Sequence, residues 1–413
     1  MPAADHEPPL PAAKNAAQSV MVAPLWLLAL VTFCGTLAMH IFVPALPQAG
    51  TDLGASPVAM QMSVSLYILG LAFGQLVYGP LSDRYGRRRI LMGGLVLYTV
   101  SGLVAALAPE AQTLIVARLF QALGGCAGLV LGRAILRDTA STTEAGRRLA
   151  LMNLMVTLGP CVAPLLGSFL ELMLGWRAIL YFLFAFGAVN LLFALWLLPE
   201  TGRPMVRGGG TSLSRHYFGL LVSRRFLGLA IGGGCATTAT YAFIAAAPYI
   251  FTNQLSRPEH EAGYYLAMLV SGVWLGSLVA SRLIARMPIN RLLVIGMGLS
   301  AASAFAFLAA VLSGRLDVGV TIVSMFIYTI GVGIASPAAL TQAISVNTNV
   351  IGSASGLYGF IQMAIGAVCA MLAGIGDDPA LAAALVLALS AVLGGAALGF
   401  AARQSGDSWS EGA

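Results

Sequence analysis

Long apolar runs, broken at intervals by short polar turns, fill the chain from Val22 to Ala401. Each is about as long as a helix needs to cross the hydrocarbon of a bilayer, for which roughly 20 residues suffice. Polar and apolar positions do not alternate within the runs, as the strands of a membrane barrel would require. A bilayer offers no partner to backbone N–H and C=O groups, so the runs predict helices. Twelve are predicted, at residues 22–42, 60–81, 90–107, 115–136, 149–172, 178–198, 226–251, 264–283, 292–312, 318–340, 351–373 and 379–401.

A polar stretch separates six runs from six. The predicted organisation is a disordered tail at 1–20, a six-helix half at 21–199, a cytoplasmic linker at 200–225, a second six-helix half at 226–402 and a cytoplasmic tail at 403–413. Residues 1–20 lack a basic segment followed by a cleavable apolar core, so no signal peptide is predicted. One register ties the halves together. The stretch "GQLVYGPLSDRYGRRRILMGG" from Gly74 aligns with "GSLVASRLIARMPINRLLVIG" from Gly276, with Arg84 over Arg286 and Arg89 over Arg291. Parallel repeats of this kind build transporters with a site between the halves, near the bilayer midplane.

Composition agrees. The 413 residues are 58% hydrophobic and 9% charged, against about 25% charged in soluble domains. The net charge of +6 sits in loops on one side. Apart from Arg118 and Arg133 inside the fourth run, only Arg177, Arg257 and Arg315 fall on the other side. By the positive-inside rule both termini are cytoplasmic, and no nucleic-acid partner is implied. Cys34, Cys126, Cys161, Cys235 and Cys369 lie in apolar runs without CxxC spacing, which points to neither disulfides nor metal. No Walker A, HExxH or GxSxG sequence occurs, so no cofactor, metal or catalytic residue is expected.

The loop "GPLSDRYGRRRIL" carries Gly79, Asp83, Arg84, Gly86, Arg87 and Arg88. Its acid is expected at a neighbouring helix N-terminus, clamped by arginines, as a latch that breaks and reforms between two states. The alternative is that the arginines only set topology. Gly159, Pro160, Pro164 and Gly167 fall in the middle of the fifth run. Proline removes a helix hydrogen bond and glycine admits close approach. The segment is therefore a pivot, a seal between the halves, or an ordinary kink.

These stretches, taken together, resemble the major facilitator superfamily. The Gly79–Leu91 loop is similar to that family's signature between helices two and three, and Gly276–Leu293 to its second copy. "ARLFQALGGCAG" (Ala117–Gly128) resembles the fourth-helix motif, with Arg118 at its basic position, and "LGPCVAPLLG" the fifth-helix antiporter motif. "GWRAILYF", "LPET" and "GSASGLYGFIQ" are similar to the bicyclomycin/chloramphenicol-resistance branch of drug:proton antiporters. The resemblance implies an all-α membrane protein of twelve helices in two pseudo-symmetric halves, with proton-coupled export as its activity.

Arg118 lies a few residues into the fourth run, on the outer side. An ionisable group there needs a partner or water. It either snorkels to the interface or helps proton exchange, and Gln121, one turn on, shares its face. In this branch an acid commonly precedes the first-helix proline by four residues. Here that position is His40, before Pro44. Histidine titrates near about 6.5 in water, so His40 is either the proton carrier or a neutral, hydrogen-bonded side chain. Cysteine and tyrosine aside, no further ionisable group is expected well inside a span. A cationic drug then has no counter-ion, and a neutral or zwitterionic substrate is expected. Tyr67, Gln121, Asn153, Tyr241, Phe243, Tyr328, Tyr358 and Gln362 are the polar and aromatic candidates for the substrate cavity.

The reading is a monomeric proton-coupled antiporter of the bacterial inner membrane. Its first rival is a proton-coupled importer of a sugar or metabolite on the same fold. A lipid-acting membrane enzyme would have to bring together two of His40, Asp83, Asp138 and Glu171, which the predicted topology keeps apart.

Overall fold

A computed structural model of the chain describes residues 23–139, 142–201, 213–284, 286–346 and 351–407. The predicted tail at 1–20, linker residues 202–212 and residues 408–413 lie outside them. The described residues are helical throughout, joined by short turns. The first set comprises α1 (Leu25–Ile41), α2 (Leu46–Asp52), α3 (Pro57–Tyr85), α4 (Arg87–Ala106), α5 (Ala111–Thr139), α6 (Thr142–Leu174) and α7 (Trp176–Leu197). The short α8 (Leu213–Val222) leads to α9 (Arg224–Thr238) and α10 (Thr240–Tyr249), which continues through a π-helical turn at Ile250–Gln254. Then follow α11 (Glu259–Leu283), α12 (Ile289–Leu312), α13 (Val318–Ser345), α14 (Ile351–Leu372) and α15 (Pro379–Asp407).

Local sequence explains the ends. Pro57 opens α3 behind Ser56, whose side chain accepts from Ala59 N at 3.2 Å; Asp317 does the same for α13 through Val320 N at 2.8 Å. Both are N-caps that satisfy a helix's orphan donors. Pro44 and Pro47 break the first span, and α2 leaves α1 at 67°. Among the described residues ten helical runs are long and apolar enough to cross a membrane, and α1 with α2 makes an eleventh. The described apolar stretch of α6, Leu158–Leu174, is shorter. Each predicted span coincides with a helix, or a broken helix, in its place. Trp196, Phe169 and Val294 are exposed on the outside, as a lipid-facing surface requires.

The packing repeats. In the first set α5 packs on α1, α3 and α4, while α4 packs on α7 and α1 on α6. In the second, α13 packs on α9, α11 and α12, while α12 packs on α15 and α9 on α14. Glycines allow these crossings. Gly74 of α3 lies against Cys126 of α5, and Gly276 of α11, its partner in the sequence register, lies against Ile330 O and Gly333 of α13. In lipid, close van der Waals packing replaces the hydrophobic drive between helices. The sets meet chiefly where α3 packs on α14 and α6 on α11, with α10 also touching α2 and α3. The α3–α4 and α11–α12 turns mark an arginine-rich end of the bundle, and the α1–α2 bend marks the far end.

Candidate functional site

Arg118 projects from the far-end third of α5 and is fully buried. Its Nη1 donates to Gln121 Oε1 at 2.8 Å and its Nη2 to Ala38 O at 2.7 Å. The guanidinium lies 4.2 Å from the Tyr67 ring centroid and 5.3 Å from that of Phe42. Tyr67 is held in turn by Gly35 O, to which its hydroxyl donates at 2.9 Å. A carbonyl, an amide and two aromatic faces thus hold the cation without a carboxylate. Arg118 does not snorkel. Arg118 Nε, Gln121 Nε2 and Tyr98 OH are buried donors left without a partner among the described residues.

His40, at the far end of α1, is 6% exposed. Its Nδ1 lies 3.0 Å from Thr36 O. A carbonyl only accepts, so Nδ1 carries the proton there and Nε2 is the basic nitrogen. Across the boundary between the sets, the His40 ring faces Tyr241 at 6.3 Å. Of the other predicted cavity residues, Phe243 packs edge-on against Phe307 at 5.6 Å. Gln362 donates to Thr237 Oγ1 at 2.7 Å, and Tyr328 and Tyr358 are buried in the second set. The side chain of Asn153 lies outside the described residues.

At the arginine-rich end, Arg87 pairs with Asp83 at 2.6 Å and with Asp138 at 3.1 Å, and donates to Ser82 Oγ at 2.5 Å. Two expectations change here. Asp83 and Asp138 do converge, because the end of α5 returns beside the α3–α4 turn; the arginine between them makes this an ion-pair cluster, not an acid pair. Nor does Asp83 cap a helix. Glu200 takes that place, accepting from Arg88 N at 3.2 Å at the start of α4, while Arg88 reaches Leu195 O at 2.7 Å. Gly86, at φ +96°, makes the turn between α3 and α4, and a side chain there would meet the Glu200 carboxylate. Arg84 stacks on Tyr85 at 5.1 Å, and Gly79 opens onto empty space. The charged contacts of this loop tie α3, α4, α5 and the end of α7 together within the first set.

A cavity of about 570 Å³ opens at this end between the sets, a size typical of small-molecule sites. Gln75, Asp83, Arg87, Arg133 and Arg137 line it from the first set, and Ser353, Ser355 and Ile344 from the second, with Tyr217 of α8. Gln75 Nε2 also donates to Gly359 O at 3.3 Å, across the α3–α14 contact. None of the seven predicted cavity residues whose side chains are described lines this space. Sequence reasoning passed over Gln75, although it interrupts an apolar run, and Ser353 and Ser355, although they fall in the noted "GSASG".

The far end is closed between the sets. A methyl group on Gly263 of α11 has no room against Ser168 Oγ and would sit 2.6 Å from Pro164 O, both on α6. Gly167 presses on Ile41 O of α1 and Gly159 on the Phe33 ring, so the fifth-helix motif is a packing face. This helix also carries a buried carboxylate close to its far end. Glu171, placed by sequence at a span's edge, is 7% exposed because α6 continues to Leu174 against α1 and α11.

Comparison with known proteins follows the same lines. The family model described as Major Facilitator Superfamily matches residues 28–371. The chain is 28% identical over 374 residues to the uncharacterized MFS-type transporter YdgK of Bacillus subtilis (strain 168), covering 89% of this chain and 92% of that one. It is 24% identical over 345 residues to a bicyclomycin resistance protein homolog of Haemophilus influenzae, covering 81% and 84%. Among solved structures, a D-xylose-proton symporter superposes with a TM-score of 0.72 at 15% identity over 90% of this chain and 96% of the other, a likeness of fold.

Proposed function

This chain belongs to the major facilitator superfamily, and we propose that it is a proton-coupled antiporter that exports small molecules by alternating access. The observation that carries this is the cavity between the two helix sets at the arginine-rich end, facing a closed far end. With arginines on the cytoplasmic side, that cavity takes its cargo from the cytoplasm, as an exporter must. The halves at 21–199 and 226–402 rock about the mid-membrane residues, joined by the linker at 200–225. The chain works as a monomer in the bacterial inner membrane, with both termini cytoplasmic.

His40 and Arg118 are the coupling pair. His40 Nε2 accepts the proton, and the fixed Arg118 cation favours its later release. Tyr67, Gln121, Tyr241, Phe243, Tyr328, Tyr358 and Gln362, with Asn153, line the path nearer the middle once cargo enters. The Gly79–Arg88 loop latches the first half, and the Gly159–Gly167 segment seals α6 against leak. The cargo is neutral or zwitterionic: Asp83, an acid that lines the cavity, is committed to Arg87, and a cationic drug finds no counter-ion there.

Bicyclomycin is the first probe, because a relative is named for resistance to it. Everted vesicles holding the protein should accumulate labelled bicyclomycin, or another neutral antibiotic from a panel, when their interior is acid, and lose it on adding an uncoupler. Accumulation only in right-side-out vesicles with acid outside would instead establish the importer.

A further inference from the structure

Glu171 is a buried carboxylate that the coupling pair leaves unused. Both of its oxygens are buried, and neither has a hydrogen-bond partner among the described residues. An ionised carboxylate in such a place is strongly disfavoured unless paired. Its position is specific. Pro164, Ser168 and Glu171 follow at spacings of four and three on one face of α6, and the first two touch Gly263 of α11. Glu259, four residues before Gly263, occupies the same face of α11, one turn nearer the far end. The two helices run in opposite directions, so the turn beyond the glycine contact sets Glu171 opposite Glu259, one acid from each half.

Among the described residues no cation intervenes. Glu259 is the charged group that acts on Glu171. On α11, Glu261 is bound to Arg257 at 3.0 Å and to Tyr265 OH at 2.6 Å, and His260 is exposed. On α1, His40 is turned to Thr36 O. On α7, Arg177 donates to Ala108 O at 3.1 Å and covers the Trp176 ring. On α5, Arg118 is held by Ala38 O and Gln121. Glu259 is exposed to solvent, so it is Glu171, buried and without donors, whose ionised form is disfavoured while the helices touch.

We propose that Glu171 is a proton-exchanging group that ties protonation to closure of the far end, resting on the antiport reading above. With α6 and α11 apart, the carboxylate is hydrated and ionised. A proton from far-side water then forms the O–H bond of the neutral acid, and only this form is buried as Gly263 seats on Pro164 and Ser168. When the O–H bond breaks, the proton goes to water and the anion, repelled by Glu259, reopens the contact. The proton gradient thus acts on the gate as well as on the central site.

The test is the distance between spin labels at Leu172 and Tyr264, both exposed, in the full protein with its five cysteines replaced, in lipid nanodiscs without substrate. The wild-type distance should lengthen as pH rises. Glu171→Gln, a permanently neutral isostere, should hold the short distance at every pH, and Glu259→Gln should move the wild-type transition to higher pH. In proteoliposomes Glu171→Gln should keep substrate binding within about twofold while losing at least tenfold of gradient-driven transport. A wild-type distance that ignores pH, or a Glu171→Gln protein that opens with pH like the wild type, overturns the proposal. If the labels respond as expected but no pH gradient drives wild-type transport, the antiport reading falls and the proton-linked gate stands. A Glu171→Gln protein that fails to bind substrate marks a structural role and also overturns it, a failure Glu171→Asp distinguishes by restoring the pH response in a folded protein.

Discussion

Arg118 and Glu171 are both ionisable side chains buried in apolar surroundings toward the far end, and their settings are opposite. Arg118 is enclosed within one helix set and held by a carbonyl, an amide and two rings. Glu171 lies where the two sets meet, and nothing donates to either oxygen. A buried charge held by several fixed partners is a fixture of the fold. One without partners, at a contact that must open, is tolerable only if it can change its charge. Burial alone does not distinguish the two roles; the partner inventory does.

Four substitutions would break or sharpen that contrast. Arg118→Met should be the most damaging, costing about 3 kcal/mol, because Gln121 and Ala38 O are left buried without their donor. Thermal unfolding in detergent would show it, and a loss under about 0.5 kcal/mol would remove Arg118 from the structural side. Lysine should not restore it, since a point charge cannot reproduce the planar fork. Gly263→Leu should cost about 2 kcal/mol by overpacking against Pro164 and Ser168, and should hold the far end apart in the label experiment; a normal short distance would show that this contact is not the gate. Arg87→Gln should cost about 1 kcal/mol at most, since Asp83 is half exposed and water screens the pair. A larger loss, measured by the same unfolding, would make the loop a latch of greater weight than its contacts suggest. Glu171→Gln should change stability least, within about 0.5 kcal/mol and on the stabilising side, because no partner is lost and an unpaired carboxylate is removed. Marked destabilisation would put Glu171 in the same class as Arg118.

Much of this fold was legible beforehand. Hydrophobic length found a helix, or a broken helix, at each predicted span, since bilayer thickness dictates it, and the three-residue spacing of Arg118 and Gln121 anticipated their hydrogen bond. What escaped was long-range. Glu200 caps α4 from 112 residues away, and Asp138 reaches Arg87 from 51, contacts that no local pattern encodes. Glu171 escaped for a different reason. A carboxylate within a turn of a helix end reads as interfacial, and only packing against two neighbouring helices shows that it is enclosed. The cavity residues also depended on packing, because Gln75 and Ser353 meet only when α3 lies along α14.

The glycine crossings of α5 and α13 bear on how motion in this protein can be observed. Gly128 abuts Val31 O, Gly124 crowds Tyr98 N, and Gly333 lies against Val273 O and Ser277 N. Backbones engaged this closely have no slack to shear past one another. Probes attached in pairs within either of these interlocked groups should therefore report constant separations through a whole turnover, and can serve as internal rulers against which displacement between the two groups is calibrated.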